Sequence, residues 1–242
     1  MKFHLSLLMT IVLASAYSQA QNPTEEKSWK HESEVAVVTT QGNTDTESYA
    51  AKQKTGYNFD LNVLTLAGSF LQTKTSNVET ARNWDASLRY ERNLSMIPWS
   101  LFAQVGAEAN PYAGFTQRDN ADLGIKRYFI KEDKRQFFVE VGPRASRTQL
   151  TTGTISSETL GRAYLEYTQP ITETVDGKFW VEYLANFTTQ GGDRVSAEPS
   201  LYVAMNNIFS LKLAYLTKID NARVAPASKY DNQTTVSLVG KF

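Results

Sequence analysis

The 242-residue chain carries 25 Lys+Arg against 25 Asp+Glu, with two His and no Cys. Balanced charge offers nothing for a nucleic acid or an anionic membrane surface to select, and the absence of Cys excludes disulfides and thiolate chemistry. With a mean hydropathy of −0.38, and no mature run near the roughly 20 apolar residues of a spanning helix, a membrane role would have to rest on strands.

Residues 1–20 read as an export signal. Lys2 supplies the positive start, Leu5 to Ala16 the apolar run, and Ser18-Gln19-Ala20 the small residues read by a signal peptidase. Cleavage is expected after Ala20, with Ala16 as the alternative. Residues 21–32, including Trp29 and His31, are then expected as a short periplasmic segment, and residues 33–242 as one domain.

From Ser33 onward the chain alternates with a period of two, the strand pattern. In KFWVEYLANF, Phe179, Val181, Tyr183, Ala185 and Phe187 share one face; Trp180, Glu182, Leu184 and Asn186 share the other. About twelve such segments are expected, near the length of a tilted membrane strand, with ten or fourteen as the alternatives. They start near Ser33, Thr46, Val63, Arg82, Trp99, Ala121, Gln136, Glu158, Lys178, Arg194, Ile208 and Gln233. Tight turns at 60–62, 95–98, 131–135 and 205–207 alternate with longer polar stretches such as NPYAGFTQRDN, TQLTTGTISS and IDNARVAPASKYDN. This asymmetry predicts an all-β, antiparallel up-and-down transmembrane barrel with both termini periplasmic and outer-membrane lipid as its surroundings.

Aromatic residues sort by height on the outward face. Phe59, Tyr90, Trp99, Phe129, Phe137, Tyr167, Phe179, Phe209 and Phe242 fall at the short-turn end; Tyr49, Phe70, Trp84, Phe187 and Tyr215 fall towards the other. Rings at both interfaces with aliphatics between them form a girdle pattern. Phe242, ending an alternating strand, also resembles the assembly signal read by the barrel-insertion machinery. Its strand is expected to close on the first one.

The opposite faces are expected to line the lumen with Lys52, Lys54, Asp85, Arg89, Glu108, Asp122, Lys126, Glu140, Arg144, Arg162, Glu166, Glu182, Glu198 and Lys212, together with Glu34, Glu91 and Lys218. Both signs occur in similar number, which argues against strong ion selectivity and for internal ion pairs. A turn centred on Asp133 would set Lys126 opposite Glu140 and Asp122 opposite Arg144. The bulky inward groups Phe102, Phe138, Tyr164, Trp180 and Tyr202 would narrow the bore.

Catalytic chemistry is scarce. A Ser/His hydrolase needs an imidazole beside its nucleophile, and beyond the signal only His31 remains. No metal, cofactor or catalytic residues are expected, and a barrel hydrolase is the least favoured reading.

Trp29, a strand running into Gly42-Asn43-Thr44-Asp45-Thr46, and further strands down to a final Phe242 resemble the family labelled salt-induced outer membrane protein, domain-of-unknown-function family 481. The resemblance spans Trp29 to Phe242. It implies an outer-membrane barrel of a Gram-negative bacterium with a link to salt or osmotic stress, and it supplies no ligand residues. Two functions follow as expectations: a narrow, weakly selective pore for small hydrophilic solutes, or a side-chain-filled barrel that supports the envelope.

Overall fold

The computed structural model describes residues 29–40, 45–222 and 228–242. The export signal, the Gly42-Asn43-Thr44 turn and residues 223–227 lie outside them. The strands are β1 (Trp29–Thr40), β2 (Thr46–Phe59), β3 (Asn62–Thr75), β4 (Val78–Asn93), β5 (Trp99–Asn110), β6 (Phe115–Lys131), β7 (Gln136–Leu150), β8 (Ile155–Pro170), β9 (Val175–Asn186), β10 (Arg194–Ala204), β11 (Phe209–Asp220) and β12 (Tyr230–Lys241). Each pairs antiparallel with the next, and β12 returns to β1 to close a barrel. In hydrocarbon an open edge would strand N–H and C=O groups at several kcal/mol each, so closure is the only stable end point for a lipid-facing sheet.

The strands run further than their hydrophobicity suggests. β1 begins at Trp29 rather than Ser33, because Trp29 to Glu32 continue the ladder against Tyr57 to Lys54 of β2. His31 and Phe242 exchange two backbone hydrogen bonds at 2.9 Å each, so the last residue takes part in closure. Two of the polar stretches expected as long loops are largely strand: β5 and β6 are joined through a 3-10 turn at Pro111–Ala113, and β7 and β8 through residues 151–154. Gln117, Asp119, Arg147 and Gln149 are polar yet fully paired across β6 and β7; past the hydrocarbon, outward side chains no longer need to be apolar.

β3 and β4 meet in a two-residue turn with Ser76 and Asn77 both at positive φ (50° and 64°), the primed geometry that matches strand twist. The longest connections on this side are 187–193 and 221–229. The first is fastened by Asp193, whose carboxylate accepts from the Tyr183 hydroxyl (2.6 Å) and the Asn186 N–H (2.9 Å). Those donors hold the Asp193 carboxyl below its usual range. The fastening is present at neutral pH and is lost as pH falls through that depressed value.

Outward positions carry the apolar wall: Leu66, Leu88, Val105, Leu123 and Leu213 are all exposed. At the short-turn end the Phe129 and Phe137 rings lie 5.2 Å apart, Phe137 and Tyr167 6.1 Å, and Phe209 and Phe242 6.3 Å. Tyr167 is the register partner of both Phe137 and Phe179, and Arg127 lies 5.2 Å over Trp99 with its charge at the same rim. Phe59 and Tyr90 stand outward on β2 and β4, both exposed. Trp29 packs tilted against Tyr57 at 4.5 Å, and Tyr57 stacks with Phe59 at 5.5 Å. The Trp29–Tyr57 pair extends this aromatic row onto β1.

The β1–β12 seam is the shortest pairing. Register partners run only from Glu32↔Lys241 to Val35↔Leu238, whereas the β2–β3 ladder covers both strands from end to end. Hydrogen exchange in bilayers should therefore be fastest, among strand amides, in Ala36–Thr40 and Tyr230–Val236. Uniform protection around the barrel would contradict that ranking.

Candidate functional site in the lumen

Inward side chains meet across the bore, and the charged ones assemble into four groups besides the more exposed Glu32–Lys241 pair at 3.6 Å. The largest is a continuous chain. Lys126 of β6 reaches Glu91 of β4 at 3.3 Å, Arg89 bonds Glu91 (2.9 Å) and Glu140 (2.7 Å), and Arg162 bonds Glu140 (2.8 Å) and Glu182 (2.7 Å). Arg144 then bonds Glu182 at 3.2 Å and holds Asp122 with two hydrogen bonds, 2.6 and 2.8 Å. Four cations and four carboxylates balance, as groups removed from water require.

Glycine sets one floor of this chain. A Cβ on Gly124 would lie 2.6 Å from Phe102 Cζ, so the Phe102 ring can lie against β6 only because that position is bare. Arg89 stacks on the Phe102 ring at 3.9 Å, which aims its guanidinium past β5 at Glu140 on β7. Glycine, ring and cation form one stacked unit.

A second group lies between β1, β2, β10, β11 and β12. Lys212 sits 3.1 Å from both Glu34 and Glu198, Lys52 lies 3.9 Å from each, and Ser237 donates to Glu34 at 2.8 Å. A third, at the long-loop end, joins Arg194 to Glu158 (2.5 Å) and Asp220 (3.2 Å), and Arg118 to Glu108 (3.3 Å) and Asp220 (3.7 Å). β6 and β11 stand five places apart in the ring, so Arg118 and Asp220 bridge most of the bore. The fourth is Lys178 with Glu166, 3.1 Å. Among the described residues, Ser146 Oγ is the one buried side-chain polar atom without a hydrogen-bond partner.

The expected hairpin register is present: Lys126 stands opposite Glu140 and Asp122 opposite Arg144. Only the second pair bonds directly. Glu140 is claimed instead by its diagonal neighbour Arg162 on β8 and by Arg89 reaching across from β4, and Lys126 by Glu91 of β4. Lys54 and Asp85 join none of the four groups; Asp85 accepts a hydrogen bond from Ser69. Arg118, Glu158, Lys178, Arg194 and Asp220 are further lumen charges the sequence reading omitted. Glu158, Lys178 and Arg194 open expected strands and share the inward parity; carrying the alternation past the expected ends would have found Arg118 and Asp220.

The bore is filled unevenly. Across β7, β8, β10 and β11, inward groups such as Glu140, Leu160, Arg162, Glu198, Ser200, Lys212 and Ala214 are buried. Along β2 and β3 none of the inward side chains is buried among the described residues. That wall presents small groups, Ala50, Thr65, Ala67 and Ser69, beside the exposed Lys54 and, on β4, Asp85. Inward side chains are more accessible on this side than across β7, β8, β10 and β11.

Breaking the large chain should be costly: Glu140→Lys places a cation between Arg89 and Arg162, with an expected loss on the order of 3–5 kcal/mol. Adding Lys126→Glu should not restore stability, since it sets a second carboxylate against Glu91. Urea unfolding in detergent checks both, and recovery in the double variant would overturn the diagonal pairing.

The chain's likeness to known proteins agrees with this architecture. A family model described as "Protein of unknown function, DUF481" matches residues 33–242. A curated Escherichia coli (strain K12) relative named "Uncharacterized protein YdiY" is 25% identical over 198 residues, covering 81% of this chain and 77% of its own. An outer membrane channel from Pseudomonas putida F1 superimposes with a TM-score of 0.53 at 10% identity, over 91% of this chain and 100% of that one. The NanC porin does so with a TM-score of 0.50 at 9% identity, over 88% and 97%. At such identities the two structures share the barrel fold.

Proposed function

The chain belongs to the DUF481 family, and on that premise we propose that it is a non-enzymatic outer-membrane barrel acting as a narrow, weakly selective pore for small hydrophilic solutes. The observation that carries the reading is the uneven lumen. Ion pairs pack one side, while the β2–β3 wall, apart from Lys52 and Lys54, carries mostly small inward side chains, none of them buried. A path beside that wall would be narrow, and the near balance of Lys54 against Asp85 along it favours weak selectivity. The lumen carboxylates give little support to acid–base catalysis: Glu140 accepts from two guanidiniums and Asp122 from one held in two places.

Export through a signal cleaved after Ala20, and insertion by machinery that reads Phe242, belong to the same proposal. The packed half favours the alternative of a filled barrel that supports the envelope, with salt or osmotic tolerance as its role.

Purified protein in planar bilayers should show small discrete conductance steps with similar K⁺ and Cl⁻ permeability. Ser69→Trp on the open wall should at least halve the steps, and Leu66→Trp, on the lipid side of the same strand, should leave them unchanged. Silence from the wild-type protein would select the filled barrel.

A further inference from the structure

A row of aromatic rings crosses the inner face from β6 to β9. Tyr128 and Phe138 lie 5.4 Å apart, Phe138 and Tyr164 6.0 Å, and Tyr164 and Trp180 6.0 Å, the last pair stacked within 27°. The first three rings are already covered by cations. Lys126 sits 4.5 Å over Tyr128 and 4.0 Å over Phe138, and Arg162 lies 5.0 Å over Tyr164. Among the described residues no cation covers Trp180, whose side chain is half-buried. The row therefore ends on a half-buried indole that carries no cation of its own.

A lysine outside every ion pair of the described residues lies near a carboxylate beside this indole. Glu166 and Glu198 are the register partners of Trp180 on β8 and β10. Lys52 of β2 reaches Glu198 at 3.9 Å, and Lys54, two residues along the same inward face, lies among Lys178, Glu166, Glu32 and Lys126. Both carboxylates near Lys54 have other partners: Glu166 is held by Lys178 (3.1 Å) and the Tyr164 hydroxyl (2.6 Å), and Glu32 by Lys241 (3.6 Å). Among the described residues none comes within ion-pair distance of Lys54, and its side chain is exposed to water. Glu166 thus links the two: it is the register partner of Trp180 and one of the charges around the Lys54 ammonium.

We propose that Trp180 and Lys54 form a subsite for a ring-shaped solute bearing a carboxylate, with the ring lying on the indole and the carboxylate meeting the ammonium. Stacking uses the apolar face of a sugar or the plane of an aromatic ring equally well, and the charge-assisted hydrogen bond supplies the acid requirement. Lys178–Glu166 and the Tyr164 hydroxyl offer further polar groups beside the ring. The subsite rests on the pore reading only for how the solute arrives; the binding itself needs no flux.

Calorimetric titration of the purified processed protein in detergent micelles tests it, with glucuronate, benzoate and glucose as probes. Saturable binding is expected for at least one of the two acids, and which one binds tells an acidic sugar from an aromatic acid. Lys54→Gln should weaken it roughly tenfold. Trp180→Ala should weaken it roughly fivefold, with Trp180→Phe restoring most of the loss. Unchanged heat-modifiable migration on gels controls for folding of each variant. No saturable binding of either acid, glucose binding as tightly as glucuronate, or indifference to Lys54→Gln would each overturn the subsite. The bilayer recording reads the other question: binding without conductance removes the pore and keeps the subsite, and conductance without binding does the reverse.

Discussion

A backbone amide in hydrocarbon has no water to bond, and that constraint organises this molecule. It forces the twelve strands to close, which brings Phe242 at one end of the described chain against His31 near the other. Closure then assigns every side chain to one of two environments. Outward positions must be apolar or, at the rims, amphipathic, as in the Phe129–Phe137–Tyr167 row. Inward positions admit charge, but only where charges find each other, because a carboxylate taken from water without a partner costs several kcal/mol.

The ion pairs meet that requirement in a way that also shapes the bore. The chain from Lys126 through Glu91, Arg89, Glu140, Arg162, Glu182 and Arg144 to Asp122 consumes eight charges on five strands. It draws long side chains from β4 and β6 to β9 into a common mass. β2 and β3 contribute little to it, since their inward residues are mostly too small to reach. The same charge pairing that makes a polar interior tolerable therefore leaves the accessible inward groups off-centre, along the wall of Ala67 and Ser69. Lys54 stays outside the pairing, and its charge is left facing water.

Much of this was legible in the sequence because a strand's period of two is rigid. Choosing the face of Phe179 fixes the face of Glu182, and a turn centred on Asp133 fixes Lys126 opposite Glu140, as the ladder has it. Strand ends were harder to place. Gln117, Asp119 and Arg147 are polar and outward, so composition marks them as loop, whereas the ladder continues because backbone pairing is indifferent to what the side chain meets. Least legible were the true partners. Whether Glu140 bonds Lys126 beside it or Arg89 three strands away depends on shear and side-chain length, and neither is written in a local pattern. The same holds for Arg118 and Asp220, 102 positions apart in number and 3.7 Å apart in space.

The absence of Cys from the chain makes one measurement decisive for the central claim of lipid on one face of each strand and water on the other. Single cysteines placed in turn from Leu64 to Phe70 along β3, in membranes, would be challenged with a membrane-impermeant maleimide. Labelling should alternate, with Thr65, Ala67 and Ser69 positions reacting and Leu64, Leu66 and Phe70 positions protected. Uniform reaction along the strand, or alternation in the opposite phase, would contradict the barrel's assignment of faces and everything built on it.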